Sequence, residues 1–402
     1  MLPKARLLRW VRIRRIRKSG KASVVFILSS LPMWRTRRVY ETLAADSRFN
    51  VSVVLYPFSA FGPEQGKEAI VALRNFCSTS SIPFLDLSGY PSPGKAMKEQ
   101  FDPDIIFYPQ PYNRLFYNDL DSTFFSGRLL CYVPYYIHTF RDGWVYKSYL
   151  YNTAWRIFLM SDDHKEDAKE VLYNHASNVR IVGDPQADFF QDPVSSDPWK
   201  LQETPKKRII WAPHFSIAAD GWLHRDSFSR LHLFMLELAD RYREQIQIAF
   251  KPHPKLLSAL QENPDWGLER AENYYRKWES GSNTQLELGP YIDLFKSSDA
   301  LIHDCGSFSV EYHFTGKPVL FCTQDIEKSY SNLNELGRQA VSAHYKGSSE
   351  ADVEAFIKNT VLGGEDPMKP IRMAFRERYL TPEGEGSVAK NICNELNKSL
   401  WG

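Results

Sequence analysis

The stretch ASVVFILSS, residues 22–30, decides the fold class of this chain. It is a compact apolar run that ends in two serines, which is typical of a buried strand. It is followed by WRTRRVYETLAAD, which starts at residue 34 and has helical spacing, and by NVSVVLYP, a second apolar run that starts at residue 50. Strand, helix and strand in this order form a βαβ unit, and such units place their strands parallel in one sheet. The beginning of the chain therefore predicts an α/β protein.

The alternation of strands and helices occurs twice. Seven strand-like segments precede about residue 185, and a segment rich in Pro, Ser and charge, QDPVSSDPWKLQETPKK at 191–207, is typical of a linker. The alternation then restarts with RIIWAPH at 208–214. Because 402 residues exceed one ordinary core, we predict two Rossmann-like, doubly wound domains that face each other across a cleft. Their predicted bounds are 22–195 and 196–375, and a helical segment, 376–402, is expected to pack back on the first domain.

The composition indicates a globular protein, with 43% hydrophobic and 24% charged residues. The five cysteines lie far apart and show no spacing typical of a metal site. This usage predicts reduced thiols, a cytosolic compartment and no bound metal.

Residues 1–21 differ electrostatically from the rest of the chain. They hold nine Lys or Arg and no acid, so the remainder has 50 − 9 = 41 basic residues against 48 acidic ones. Apolar residues are interleaved with the arginines, partly at helical spacing, and they are Leu7, Leu8, Trp10, Val11, Ile13 and Ile16. This pattern predicts an amphipathic helix that lies on an anionic membrane surface. A soluble basic arm or a nucleic-acid contact is the alternative, and we expect no nucleic-acid partner. The segment lacks the apolar region of a signal peptide, and no run in the chain approaches a membrane span.

Polar residues follow the predicted strands at four places. In open parallel sheets, ligands bind beyond the carboxyl ends of the strands. The four segments are YVPYYIHTF (132–140), WAPHFS (211–216), KPHP (251–254) and HDCGSFSVEYHFTGKPVLF (303–321). We expect them to line a ligand cleft between the two domains.

The fourth segment has the features of a phosphate site. Gly306 permits a tight turn or a positive φ, and Ser307 is a suitable N-cap for the helix that follows. Ser309 and the unpaired amides of the first turn would then face an anion, for which a diphosphate is the natural candidate. Glu311 lies one turn further on, within reach of a ribose or glycerol hydroxyl. The alternative is an ordinary strand–helix turn with a capped helix.

Three other segments supply cations and histidines. Lys251 and His253 flank a proline, so both have a stiff backbone, and a cation near phosphate neutralises charge. His138, beside Tyr135, is the candidate general base from the first domain. His214 is a competing candidate from the second domain. Each of these histidines, taken alone, is also compatible with a structural or solvated role.

These segments resemble the CDP-glycerol glycerophosphotransferase family, which includes teichoic acid and capsule polyol-phosphate polymerases. WAPHF, KPHP and residues 303–321 carry the resemblance, together with GDPQADFF at 183–190. It is clear over about residues 130–325. The sequence departs from the family pattern at three positions, which are His303 in place of Thr, Gly306 in place of Ser and Gln186 in place of Arg.

The resemblance implies functional roles for particular residues. His253 matches the family's essential histidine, and the remaining matches in the phosphate-binding segment are Asp304, Ser307 and Glu311. The resulting catalytic candidates are His253, His138 and Glu311. The substrate-binding candidates are Lys251, His214, Asp304, Gly306, Ser307, Ser309 and Tyr135.

The resemblance also implies a GT-B fold, with an acceptor domain followed by a CDP-donor-binding domain, and no cofactor or metal. The implied reaction transfers glycerol phosphate, or another polyol phosphate, from a CDP-linked donor to a hydroxyl of a cell-surface polymer or its lipid-linked precursor, and releases CMP. The expected location is the cytoplasmic face of the membrane, as a peripheral protein. Two alternatives stay open: a GT-B glycosyltransferase that uses a nucleotide sugar in capsule or lipopolysaccharide synthesis, and a non-catalytic scaffold of a capsule assembly machine.

Overall fold

The computed structural model describes residues 3–57, 62–116, 119–141, 143–217, 226–382, 384 and 386–402. Its helices, in chain order, are α1 (Pro3–Ser19), α2 (Arg37–Ala44), α3 (Gly62–Thr79), α4 (Pro93–Phe101), α5 (Tyr149–Thr153), α6 (Asp162–Val171), α7 (Gln186–Gln191), α8 (Ser227–Arg241), α9 (Leu256–Glu262), α10 (Gly267–Ser280), α11 (Ile292–Ser297), α12 (Phe308–Glu311), α13 (Ile326–Ser331), α14 (Glu335–Ser342), α15 (Glu350–Ala355), α16 (Lys369–Tyr379) and α17 (Val388–Trp401). A π-helical segment, Phe356–Leu362, follows α15. Among the described residues, no helix is both long and apolar enough to span a bilayer.

Unit 1 comprises Met1–Tyr136, Asp142–Asp188 and Thr381–Gly402. Its strands are β1 (Ala22–Leu28), β2 (Phe49–Leu55), β3 (Phe84–Asp86), β4 (Ile105–Tyr108), β5 (Leu129–Tyr132), β6 (Arg156–Leu159) and β7 (Val179–Ile181). They form one parallel sheet in the order β3-β2-β1-β4-β5-β6-β7. β1, β4 and β5 are almost wholly buried, which explains why they read as continuous apolar runs.

Unit 2 comprises Ile137–Arg141 and Phe189–Leu380. Its strands are β8 (Lys207–Ala212), β9 (Ile246–Phe250), β10 (Thr284–Leu286), β11 (Ala300–His303), β12 (Val319–Cys322) and β13 (Tyr345–Gly347). They form a second parallel sheet in the order β10-β9-β8-β11-β12-β13. A cluster of large aromatic side chains packs on one face of this sheet, among them Trp211, Phe228, Phe250 and Trp278. The two sheets confirm the predicted α/β class with two Rossmann-like domains.

The bounds of the units differ from the predicted domains in three ways. Unit 2 begins at Phe189, and the segment 191–207, predicted as a linker, belongs to it: Trp199 is buried there and its indole N–H donates to Ser297 Oγ at 3.1 Å. Residues 137–141 also cluster with unit 2, through a bridge between Phe140 and Leu333. Of the predicted C-terminal segment 376–402, the end of α16 lies in unit 2 and α17 lies in unit 1.

The basic segment at the start of the chain forms α1, and this helix docks on unit 1 through its arginines. Arg9 is buried, and its guanidinium donates to the carbonyl oxygens of Arg128 (3.0 Å), Ser126 (3.3 Å) and Thr153 (2.6 Å). Arg12 pairs with Asp104 at 2.8 Å. These two arginines therefore face unit 1 and are not available to a membrane surface.

The apolar residues of α1 divide between its two sides. Ile16 is fully buried against unit 1, whereas Leu7 is 60% exposed, Trp10 52% and Val11 51%. The helix thus exposes part of its apolar surface and buries part of its charge, the reverse of an ordinary surface helix.

Candidate active site

Three of the four polar strand ends meet at one edge of the second sheet. WAPHFS follows β8, KPHP follows β9 and HDCGS follows β11, and β8 lies between β9 and β11 in the parallel sheet. After β8, the chain adds β9 and β10 on one side of the sheet and then adds β11, β12 and β13 on the other side. The point in the sheet where the winding direction changes therefore lies between β8 and β11. Ligands of open α/β sheets bind at such a switch point.

Asp304 holds two of these segments together. Its carboxylate is fully buried and accepts the backbone N–H of His214 at 2.6 Å. The other carboxylate oxygen accepts the backbone N–H of Ser227 at 3.0 Å and its hydroxyl at 2.8 Å. Asp304 was predicted as a substrate-binding residue, but its observed contacts are with the chain itself. It positions the segment after β8 and the start of α8.

The turn at 305–308 has free hydrogen-bond donors. The amides of Gly306, Ser307 and Phe308 donate to no other group within the described part of the chain, and the Ser307 hydroxyl makes no capping bond. The turn therefore presents a set of donors of the kind that binds an oxyanion.

Two details of this turn differ from the prediction. Gly306 does not have a positive φ, so the residue is not required there for a left-handed conformation. The helix that follows is short, because α12 spans only Phe308–Glu311 and continues as a 3₁₀ turn, Tyr312–Thr315. Its dipole is correspondingly small. Ser309 is buried and its hydroxyl donates to the carbonyl of Cys305 at 2.9 Å, which gives it a structural contact in place of the predicted ligand contact.

His253 has a defined tautomer. Its Nδ1 accepts the backbone N–H of Lys255 at 3.1 Å, so the proton of the neutral ring is on Nε2. Its own amide donates to the carbonyl of Pro213 at 3.0 Å, and its ring packs on His214 and Phe215, with centroids 4.9 Å and 4.6 Å away. Burial, assisted by the charge of Lys255, lowers the pKa of His253 to about 4. The imidazole is therefore a neutral hydrogen-bond donor at pH 7.

Lys251 has a different environment from the one predicted. Its ammonium donates to the carbonyl oxygens of Glu287 (3.3 Å) and Gly289 (2.6 Å). Burial lowers the pKa of Lys251 to about 8, although Glu287 acts in the opposite direction. The side chain positions the segment that follows β10, so its predicted role as a phosphate ligand finds no direct support in these contacts.

The remaining candidates lie at different places. Glu311 is buried on α12, three residues after the free amide of Phe308. His138 is buried, and the carbonyl of the same residue accepts an N–H from Asn334 at 3.0 Å. Since residues 137–141 cluster with unit 2, the prediction that this histidine comes from the first domain is wrong. Tyr135 belongs to unit 1, where its ring packs on Tyr136, and burial raises its pKa.

Sequence reasoning missed two residues of this site. Phe215 forms the apolar wall beside His253, at a ring distance of 4.6 Å, and Ser227 supplies two of the donors to Asp304. Phe215 lies inside the WAPHFS motif, so the sequence does indicate its place at this strand end. No sequence pattern indicated Ser227, because its role depends on a contact with Asp304, which lies 77 positions away in the chain.

In GDPQADFF, the segment at 183–190, the two acidic residues stabilise unit 1, whereas Phe190 packs on Phe295 and Phe314 in unit 2. Asp184 pairs with buried Arg35 at 2.5 Å. Asp188 accepts the backbone N–H groups of Val388 and Ala389, both at 2.8 Å, and so caps the N-terminus of α17. Within the described residues, no cluster of three His, Cys, Asp or Glu side chains is arranged to hold a metal ion.

The two parallel Rossmann-like sheets define a fold of the GT-B type. Residues 141–340, about half of the chain, match the profile of the family CDP-Glycerol:Poly(glycerophosphate) glycerophosphotransferase. This match confirms the resemblance found in the sequence.

Similar solved structures support the same fold. A variant of the wall teichoic acid polymerase TagF has a TM-score of 0.65 at 11% identity, and the match covers 98% of this chain and 93% of that one. The S. aureus MnaA–UDP complex has a TM-score of 0.61 at 14% identity, covering 94% and 97%. The UDP-GlcNAc 2-epimerase from Neisseria meningitidis, bound to UDP-GlcNAc, has a TM-score of 0.60 at 16% identity, covering 94% and 100%. A comparison with curated proteins gives no match.

Proposed function

We propose that this protein transfers a polyol phosphate, with glycerol phosphate as the first candidate, from a CDP-activated donor to a hydroxyl of a cell-surface polymer or its lipid-linked precursor. The match to the family profile over residues 141–340 supports the reaction class. The observation that carries the proposal is the set of free donors at the switch point of unit 2, which are the amides of Gly306, Ser307 and Phe308, the Ser307 hydroxyl and Nε2–H of His253.

In the proposed reaction, the acceptor hydroxyl oxygen forms a bond to the phosphorus that carries the polyol. The bond between this phosphorus and the bridging oxygen of the diphosphate breaks, and its electron pair leaves on the CMP phosphate. The hydroxyl proton passes to a general base, for which His138 stays our candidate. Charge therefore accumulates on the diphosphate oxygens, and fixed donors aimed at them lower the barrier.

His253 suits the leaving-group side of this reaction. At pH 7 its ring is neutral, and its orientation is fixed by the bond from the Lys255 amide. A neutral N–H in a half-buried position donates a hydrogen bond to the departing phosphate. Asp304 keeps the neighbouring WAPHFS segment in register, because it binds the amide of His214. We therefore assign His253 and Ser307 to the diphosphate, and Asp304 to positioning.

The test is release of CMP by the purified protein from CDP-glycerol, and separately from CDP-ribitol, with a hydroxyl-terminated acceptor. His253→Asn keeps an acceptor for the Lys255 amide but removes the Nε2–H, and we expect kcat to fall about 100-fold. His175→Asn is the matched control, because His175 is exposed in unit 1 and has φ 50°, which Asn tolerates.

The outcomes separate the alternatives. CMP release that is lost in His253→Asn and kept in His175→Asn supports the proposal. Release of a nucleoside diphosphate from a nucleotide sugar, with no reaction of either CDP-polyol, would identify a glycosyltransferase. Full polymer synthesis in cells by the His253→Asn variant would favour a non-catalytic scaffold.

We also propose that the exposed side of α1 binds an anionic membrane surface at its cytoplasmic face. Leu7, Trp10 and Val11 are exposed at helical spacing, and the guanidinium of Arg14 lies 4.1 Å from the Trp10 ring. Lys4 and Lys18 are exposed on the same side. Since the opposite side of α1 is fixed to unit 1 by Arg9, the docked helix presents apolar groups and cations together, as interfacial helices do.

Sedimentation with phosphatidylglycerol and with phosphatidylcholine vesicles tests this surface. We expect binding to the anionic vesicles and at least a tenfold loss in the double variant Leu7→Gln, Trp10→Gln, since burial of each side chain contributes about 1.5–3 kcal/mol. Leu201→Gln, at a 98% exposed leucine of unit 2, is the matched control. Equal sedimentation of all three proteins would refute the assignment.

A further inference from the structure

Three buried histidines form a cluster next to the donor turn of unit 2. His303 is the last residue of β11, His313 lies in the 3₁₀ turn after α12, and His344 lies between α14 and β13. The exposed fraction of each residue is 1% or less. The ring centroid of His344 lies 5.3 Å from that of His303 and 4.7 Å from that of His313. None of the three has a role in the proposed reaction.

Two of these rings hold the two ends of the turn. Nδ1 of His303 accepts the backbone N–H of Cys305 at 3.1 Å. Nε2–H of His344 donates to the carbonyl of Ser309, also at 3.1 Å. The hydroxyl of Ser309 donates to the carbonyl of Cys305 at 2.9 Å and so joins the two ends. The free amides of residues 306–308 therefore lie between two anchored points.

The third ring connects this cluster to α14. Nε2–H of His313 donates to the carbonyl of Ala340 at 3.1 Å, and the ring packs on His344. The amide of His344 donates to the carbonyl of Val341, again at 3.1 Å. The position of His344 is thus fixed by α14 on one side and by the turn on the other.

The bonds of this cluster have a fixed direction because the rings are neutral. Burial lowers the pKa of His313 to about 3, and burial, with the neighbouring rings and Arg372, lowers the pKa of His344 well below its ordinary value. A neutral imidazole has one donor and one acceptor nitrogen. Amides that donate to no protein group would rotate to other partners in a loose turn. Donors that are already fixed need no reorganisation when charge develops on a ligand.

We infer that His303 and His344 are positioning residues, which hold the turn so that its free amides face a diphosphate, and that His313 fixes His344 from α14. That this diphosphate belongs to a CDP-linked donor rests on the proposed function. The hydrogen bonds themselves are independent of it. His303 stands where the family pattern has Thr, a residue with no ring to contact His344.

Calorimetric titration of the full chain with CDP and with inorganic pyrophosphate tests this role in two pairs of variants. His344→Gln keeps an N–H donor and His344→Met has none. His303→Asn keeps an acceptor and His303→Leu has none. We expect Kd for both ligands to rise about tenfold in the Met and Leu variants, since each loses one bond to the turn. The Gln and Asn variants should restore most of the affinity, which a role in packing alone would not produce.

A control and a second measurement complete the design. His232→Met removes a half-buried histidine of α8 that donates to backbone carbonyls away from the turn, and Kd should stay unchanged. Native-state hydrogen exchange at the Cys305 amide needs no variant. It should show the same protection with and without CDP, because the His303 bond exists before the ligand arrives.

Wild-type affinity in both His344→Met and His303→Leu overturns the inference, as does an equal loss in His232→Met. Protection of the Cys305 amide only with CDP overturns it too, and so does a wild type that binds neither ligand. If the expected pattern of Kd is found but no CDP-polyol yields CMP, the proposed reaction has failed and the positioning role stands. If CMP is released and all variants bind alike, the reaction stands and the inference has failed.

Discussion

Replacing Asp304 by Asn should loosen the edge of the second sheet without changing its volume. Within the described part of the chain, the carboxylate accepts hydrogen bonds from the amide of His214 and from the amide and hydroxyl of Ser227, at 2.6–3.0 Å. An amide has one oxygen and one NH₂ group, so in the variant a donor at His214 or Ser227 must face another donor. The loss of a charge-assisted bond and the unsatisfied N–H together cost about 3 kcal/mol. That corresponds to about a 100-fold fall in protection of the affected amide from exchange.

Native-state hydrogen exchange at the amides of His214 and Ser227 is the assay, because it reports local opening in a chain of two units where one unfolding free energy is not defined. Asp325→Asn is the matched control, since Asp325 caps exposed α13 through the amide of Lys328. The control should change exchange near α13 only. Unaltered protection of His214 and Ser227 in Asp304→Asn would refute the reasoning, as would an equal change in the control.

Three further predictions concern the buried charges and histidines. Burial lowers the pKa of His313 to about 3 and that of His344 well below its usual value. Both rings are neutral in folded unit 2, so the unfolded chain takes up protons below about pH 6.5 and the stability of unit 2 falls as the pH drops from there, by about 1 kcal/mol per histidine per pH unit. The urea midpoint of the transition of unit 2, compared at pH 7.5 and about 5.5, measures this fall. Arg9→Gln should lower the melting temperature by several degrees because buried carbonyls lose their donor, whereas Arg6→Gln, at an exposed position, should not; equal melting curves would contradict this. Lys251→Met should increase proteolysis at residues 287–289, whose carbonyls it binds, and an unchanged digestion pattern would count against that role.

The sheets were predictable because their buried strands are continuous apolar runs. All seven strands of unit 1 and four strands of unit 2 follow from this signal. β10 and β13 did not, since their residues, Thr-Gln-Leu and Tyr-Lys-Gly, contain no apolar run. β5 ends at Tyr132, and in the segment that follows it Phe140 pairs with Leu333 of unit 2, a long-range contact that no local pattern encodes.

For the candidate site, the sequence indicated which segments follow strands but not their contacts. The three segments rich in His and Ser do follow β8, β9 and β11, which are neighbours in the sheet. The partners of each polar group were not predictable, because they depend on which strands are neighbours. Asp304 and Lys251 both bind backbone groups. From the sequence alone, a carboxylate or ammonium group that binds the backbone cannot be distinguished from one that binds a ligand.

The docking of α1 through Arg9 and Arg12 has a practical consequence for preparing the protein. A basic leader with exposed Leu and Trp is a usual target for truncation when solubility is poor. Here, removal of α1 would leave three carbonyl oxygens without their donor, Arg9, and the Asp104 carboxylate without its Arg12 partner. The free-energy cost of these unpaired groups is larger than the cost of the exposed Leu and Trp side chains. Polar substitution at Leu7 and Trp10, with the helix retained, is the better route to a soluble sample.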